Sequence, residues 1–340
     1  MANEELNQAP SVLLTGATGF VGKALRKKLY ATGIKYSSAV RAPLPSGKPD
    51  ELFGQIHHVG EIGAETCWDS ALKEIDTVIH LAARAHIMKD TASDPLQSFR
   101  EVNTAGTLRL AEAAAKAGVR RFIFLSSVKV NGEFTTDQPF DESMPAAPQD
   151  PYAISKYEAE QGLLKIAAES SMDVVIIRPP LIYGPGVKAN FLRLLGWIER
   201  SIPLPLAGIR NQRSLIAVDN LVDFLIICLD HPAAANEVFL VSDGEDMSTA
   251  ELAQCIAKHI GHSARLFSVP QLLMSLGASL LGKRPVADRL TRSLQIDSSK
   301  ARQLLQWQPP LSVDEAMAET VNWYLQQKKQ QSKPQASPTE

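Results

Sequence analysis

Residues 11–33 read SVLLTGATGFVGKALRKKLYATG. The stretch opens with a short β-type apolar run and closes with a segment of helical apolar spacing. Between them Gly16, Gly19 and Gly22 stand three residues apart, as a tight turn between strand and helix requires. The alternation continues outward. YSSAV at 36–40, TVIHLA at 77–82, RFIFLSS at 121–127 and DVVIIRP at 173–179 are further strand-type runs. Helical spacing lies between them, most plainly from Pro95 to Gly118, where the glycine suits a helix C-terminus. The pattern predicts an α/β fold built on a doubly wound parallel sheet with helices on both faces.

Past Tyr183 the rhythm gives way to Gly/Pro-punctuated loops such as YGPGVKAN (183–190) and SIPLPLAGIR (201–210). We therefore expect a Rossmann-type dinucleotide domain over 11–182 and a smaller, mainly substrate-binding lobe over 183–325. Segments of that lobe, RSLIAVDNLVDFLIICL and NEVFLVSD, are able to return to the main sheet. Residues 326–340, QQKKQQSKPQASPTE, are polar and are expected to form a disordered tail.

Composition narrows the function. Hydrophobic residues make up 45% of the 340 and charged residues 21%, so most of the chain should fold. A formal charge of −2 supplies no basic field for nucleic acid. Cys67, Cys228 and Cys255 show no CxxC or metal-ligand spacing, no metal is expected, and a reducing cytoplasm fits them. The N-terminus lacks an export pattern, and no run approaches the roughly 20 apolar residues of a membrane span. The apolar run 272–282, followed by Lys283 and Arg284, reads as a helix packed inside the second lobe.

The glycine turn has the context of a phosphate cradle: it follows a strand and opens a helix, so backbone N–H groups from Thr18 to Val21 and the helix N-terminus can face a pyrophosphate. A ligand-free turn is the alternative. At the end of the second strand, where a carboxylate would hold the adenosine ribose of NAD, stands Arg41. Its guanidinium tilts the NAD(P)(H) cofactor modestly toward NADP(H), with an ordinary solvated arginine as the competing reading.

Tyr152 and Lys156 stand four apart on one helix face, where an ammonium favours phenolate and draws the tyrosine toward neutrality. An exposed i,i+4 pair is the default meaning of this spacing. Upstream, RFIFLSS places Ser126 and Ser127 at the carboxyl edge of the sheet, where ligands of such sheets bind. Cradle, serine and Tyr-x-x-x-Lys thus come in a productive order.

On these motifs the sequence resembles the extended short-chain dehydrogenase/reductase family of sugar-nucleotide epimerases, dehydratases and ketoreductases, over residues 11–325. The resemblance implies Ser127, Tyr152 and Lys156 as the catalytic residues. It implies Gly16, Thr18, Gly19, Phe20, Val21, Gly22, Arg41, Glu61, Ile62, Leu81, Ala82, Ala83, Asn103 and Pro179 on the cofactor, together with Tyr152 and Lys156. On a UDP-sugar it places Ser127, Asn190, Arg213 and, as a candidate, Arg289; Arg292 is a second candidate. His86 and Lys129 line the sugar pocket or serve as solvated surface groups. DSSKARQLLQWQPP (297–310) matches a closing structural pattern, and a homodimer through two helices, one carrying Tyr152 and one from Pro95 to Gly118, is a further implication.

Departures from the family pattern bear on the reaction. The acid pair with which dehydratases follow the serine is replaced by Val128 and Lys129, and the Tyr-Gly of typical 4-epimerases by Asn131-Gly132. SSVKVNGE, RPPLIYGPGVKANF and RSLIAVDNLVD are similar to bacterial enzymes of O-antigen loci that reduce UDP-4-keto-6-deoxy-N-acetylglucosamine. A 4-ketoreductase is the expected activity, a UDP-glucose or UDP-N-acetylglucosamine 4-epimerase the alternative. A non-catalytic dinucleotide sensor is disfavoured by the intact Tyr152 and Lys156.

Overall fold

The structure, a computed structural model, describes residues 11–42, 51–85, 94–270 and 284–331. His86 and the apolar run 272–282 lie outside the described residues. Seven parallel strands form the main sheet: β1 (Val12–Thr15), β2 (Tyr36–Val40), β3 (Gln55–His58), β4 (Thr77–His80), β5 (Arg121–Leu125), β6 (Asp173–Arg178) and β9 (Val238–Leu240). Their order is β3-β2-β1-β4-β5-β6-β9. The direction of winding reverses between β1 and β4, which places a ligand crevice at the carboxyl ends of those strands. NEVFLVSD supplies β9 and so returns the chain to the sheet beside β6. RSLIAVDN instead supplies β8 (Leu215–Ala217), which pairs with β7 (Leu181–Tyr183) in a two-stranded sheet.

Each central strand is buried on both faces, and its side chains alternate between two cores. Leu14, Ile79, Ile123 and Ile177 meet Leu25 and Leu29 of α1 (Phe20–Ala31) and Leu221 and Phe224 of α6 (Val218–Ile227). Leu13, Val78, Phe122 and Ile176 meet Leu110 of α3 (Gly106–Lys116) and Leu163 of α4 (Pro151–Glu169). A third core belongs to the lobe after Tyr183. It joins α5 (Ala189–Glu199) and α7 (Thr249–Ile260) to the last described helix, Val313–Gln331, labelled α10 after the short helices α8 (Arg284–Thr291) and α9 (Ser299–Leu305).

Residues 326–331, expected in a tail, are helical here. α10 runs to Gln331, tied back by Lys328, whose Nζ lies 2.7 Å from Glu199 Oε1. The closing pattern is structural in part: Trp307 is buried, its Nε1 donating to Asp223 at 3.1 Å.

One buried ion pair clamps α4 to β6. Arg178 Nε donates to Glu160 Oε1 at 3.0 Å and its Nη1 to Asn131 Oδ1 at 3.0 Å, with the Glu160 side chain 1% exposed. Removing one member of such a pair leaves an uncompensated charge. Glu160→Ala should lower unfolding free energy by about 3–5 kcal/mol, and Glu160→Leu/Arg178→Met should recover most of it, as read from urea denaturation midpoints.

Candidate active site

The cradle is built by crowding. Gly16 has φ +72°, and a Cβ there would lie 2.7 Å from the Ala82 nitrogen at the end of β4. A Cβ on Gly22 would lie 2.2 Å from the Gly16 carbonyl oxygen. These two glycines are demanded by the fold itself. Gly19 differs, because its Cβ would meet only the Gly16 oxygen, at 3.1 Å. It precedes α1 with no side-chain cap, so the helix's first N–H groups face the crevice with Thr18, Phe20 and Val21 around them. Beside the turn, Thr15 Oγ1 accepts from the Ala82 nitrogen at 3.2 Å and meets His80 Nδ1 at 2.7 Å; Thr107 Oγ1 holds the other ring nitrogen at 3.0 Å. Burial, with Lys156 second, lowers His80 to about 3, so the imidazole is neutral and sets the Leu81–Ala82–Ala83 backbone beside Gly16. These residues fit a dinucleotide.

Just past the end of β2, Arg41 Nη1 lies 3.4 Å from both carboxylate oxygens of Glu61. The arginine expected to receive a 2′-phosphate is thus engaged by an acid 20 residues on, which spacing along the chain did not reveal. Ile62 packs where a Cβ on Gly106 would strike it.

Asn103 sits in a π-helical turn, Arg100–Ala105, a distortion frequent at functional sites. Fully buried, it accepts from the Arg84 nitrogen at 2.8 Å and donates to Ser155 Oγ at 3.0 Å; Ser155 Oγ donates to the Tyr152 carbonyl at 2.8 Å. The asparagine therefore fixes the first turn of α4. Pro151 opens that helix and Asp150 caps it, accepting from the Ala153 nitrogen at 2.7 Å.

Lys156 is 1% exposed; its Nζ donates to the Leu125 carbonyl at 2.9 Å and lies 4.3 Å from the centre of the Phe124 ring. Burial pulls its ammonium down to about 7, against the opposing pull of Glu160. Tyr152, with Phe99 edge-on at 6.2 Å, is pushed above the ordinary phenol value by burial and then by Asp150. Burial and Asp150 set that direction in the chain by itself; the fall toward neutrality expected from Lys156 together with an oxidised nicotinamide belongs to the cofactor complex. Ser127 lies two residues past β5 and caps the turn Val128–Val130, its Oγ accepting from the Lys129 nitrogen at 3.3 Å, while the Pro179 carbonyl accepts from Val128 at 3.0 Å. Ser126 Oγ is buried without a hydrogen-bond partner, an unsatisfied group that makes it a further candidate for contact with a bound molecule.

Lys129 is committed to carboxylates, pairing with Glu133 at 2.8 Å and with the helix cap Asp150. Across the lobe, Arg213 donates to the carbonyls of Arg289 and Arg292 at 3.0 and 3.2 Å. Burial and then Arg289 depress its pKa, partly opposed by Glu133. Asn190 is exposed at the start of α5 and bonded to Arg193, whereas Phe191 stacks on Tyr183 in the lobe core.

Residues 12–242 match the NAD dependent epimerase/dehydratase family. The chain belongs to that family. It is 46% identical over 329 residues to a UDP-glucose 4-epimerase of Vibrio cholerae, covering 96% of this chain and 99% of that one. It is 30% identical over 270 residues to N-acetyl-alpha-D-glucosaminyl-diphospho-ditrans,octacis-undecaprenol 4-epimerase of Escherichia coli O157:H7, covering 78% and 77%. Among solved structures it is similar to MoeE5 in complex with UDP-glucuronic acid and NAD, with a TM-score of 0.73, 25% identity and coverage of 93% and 99%. The α/β fold with its parallel seven-stranded sheet is thus that of the epimerase/dehydratase family, and the chain is an enzyme of this NAD-dependent, sugar-nucleotide class.

Two predictions follow from this geometry. Gly19→Ala should leave the denaturation midpoint nearly unchanged yet weaken NAD binding at least roughly tenfold by blocking backbone approach to the phosphates, while Gly22→Ala should yield little folded protein; calorimetry and far-UV circular dichroism separate them. The second concerns Lys156, whose folded-state pKa lies below its unfolded value, so the native state binds fewer protons between about 7 and 10.5 and its stability rises with pH across that window. Lys156→Met should therefore raise the melting temperature of the ligand-free protein by roughly 5 °C at pH 6, with the gain shrinking toward pH 10.

Proposed function

We propose that the chain is an NAD-dependent UDP-sugar 4-epimerase. The observation that carries this reading is the 46% identity, across nearly the full length of both chains, to the Vibrio cholerae UDP-glucose 4-epimerase. The 4-ketoreductase expected from the sequence is less well supported than this alternative. The site adds two arguments. Arg41 shares its charge with Glu61, so a 2′-phosphate would be set beside a carboxylate, which favours NAD(H) over NADP(H). Asp150, the carboxylate that acts on Tyr152, is paired with Lys129, which also holds Glu133, so neither acid is free for dehydration.

When bound, NAD supplies a reversible hydride acceptor for C4 of the sugar. Tyr152 takes the proton of the C4 hydroxyl and returns it after the sugar has presented its other face. Ser127 Oγ hydrogen-bonds the same oxygen in its carbonyl state. Lys156 holds the ribose and, when charged, favours the phenolate. Arg213, with Arg289, grips the diphosphate, whose negative charge offsets the burial and mutual repulsion of the two guanidinium groups. Asn103 acts through Ser155 by fixing the turn that carries Tyr152. A homodimer through α3 and α4 belongs to the same proposal.

The test incubates purified protein with UDP-glucose or UDP-N-acetylglucosamine and no added cofactor. The 4-epimer should form, dinucleotide extracted from the protein should be NAD, and Tyr152→Phe should lower turnover by about 10²–10⁴-fold. Stoichiometric oxidation of NADPH by UDP-4-keto-6-deoxy-N-acetylglucosamine, without epimer formation, would overturn the reading and restore the reductase.

A further inference from the structure

The lobe carries a second cluster of reactive side chains on the packed face between α7 and α10, apart from the cradle and from Tyr152. Ser248 and Glu251 form a reciprocal capping box at the start of α7, which fixes that helix. Cys255 and His259, four residues apart, share one of its faces. Packing of Leu252, Ala253 and Ile256 against Ala316, Met317 and Val321 then brings the first turn of α10 alongside, and with it Asp314. One ligand atom from each of Cys255, His259 and Asp314 lies within 4.8 Å of the others. His259 Nε2 is 3.0 Å from Asp314 Oδ1.

We propose that Cys255, His259 and Asp314 bind one transition-metal dication, with Zn²⁺ the best match to a thiolate, an imidazole and a carboxylate. Tetrahedral zinc holds its ligand atoms about 3.3–3.8 Å apart, so the three donors reach it by rotamer adjustment on helices already in place. The sulfur and nitrogen donors disfavour Mg²⁺ and Ca²⁺, which require oxygen. Water completes the fourth position. One charge competes, since Lys258 Nζ lies 2.7 Å from Asp314 Oδ1. Its side chain is 65% and that of Asp314 57% exposed, so the pair is solvent-screened and weak. A nucleophilic role is the other chemistry such a cluster offers. That role would need the His259 imidazole to face the sulfur as a base, whereas His259 Nε2 is turned to Asp314 Oδ1 at 3.0 Å. On binding, the sulfur–hydrogen bond breaks, a zinc–sulfur bond forms, and the proton leaves to solvent. The ion clips α7 to α10, two elements far apart in the chain, and takes no part in the chemistry at Tyr152.

The experiment dialyses tag-free full-length protein against ZnCl₂, or against MgCl₂, desalts it, and counts retained metal by atomic emission. One equivalent of zinc and no magnesium is expected. Cys255→Ser and His259→Gln should each weaken zinc binding at least roughly tenfold, with unchanged circular dichroism. In unsubstituted protein, which removes any question of misfolding, zinc should slow N-ethylmaleimide labelling of Cys255, but not of the exposed Cys67, by a similar factor. Zinc retention unaffected by both substitutions, or the lack of both retention and protection, would overturn the site.

Discussion

The active-site architecture turns on one buried ammonium. Lys156 is withdrawn from water at the carboxyl edge of the sheet, and such a group persists only where neighbours replace its hydration. The Leu125 carbonyl and the face of Phe124 do so locally, and Glu160 supplies the opposing charge one turn further along α4. Glu160 is itself locked to Arg178, and Arg178 to Asn131. Satisfying one charge therefore ties α4 to β6 and to the turn that follows Ser127. The relative placement of Ser127, Tyr152 and Lys156 is a consequence of that chain of contacts rather than of their own hydrogen bonds.

Around Tyr152 the signs of charge oppose one another. Burial and Asp150 favour the neutral phenol, so in the chain alone the tyrosine rests as an acid. Asp150 cannot be dispensed with, because it caps the helix that carries the tyrosine. Lys129 resolves the conflict by pairing with Asp150 and Glu133 together, which limits the negative charge that an incoming diphosphate has to meet. Its value lies in neutralising these acids.

What was legible in the sequence was local. Gly16, Gly19 and Gly22 sit within seven residues, and the strand and helix around them are encoded by periodicity; Tyr152 and Lys156 share one helix face. Interactions that join distant segments were not legible: Arg41 with Glu61, Lys129 with Asp150, and Asn103 with Ser155, which lie 20, 21 and 52 residues apart. Proximity is visible in a sequence, whereas the desolvation that raises Tyr152 in the chain alone is not. The cysteines showed no metal pattern for a related reason. Cys255 and His259 share a helix face, but Asp314 reaches them only through the packing of two helices.

The same contrast explains why the sequence leaned toward an exchanging, NADP-linked reductase. Taken singly, Arg41 is a receptor for a 2′-phosphate. Beside Glu61 it is half of an exposed pair whose net charge is near zero, and an added phosphate gains attraction from one member while meeting repulsion from the other. A bare ribose hydroxyl, by contrast, can donate to Glu61 without displacing Arg41. An epimerase gains most from such an arrangement, because its cofactor is oxidised and reduced within one turnover and release between the two half-reactions would strand a ketosugar. Any discrimination between dinucleotides at this position would thus act through the Arg41–Glu61 pair as a unit.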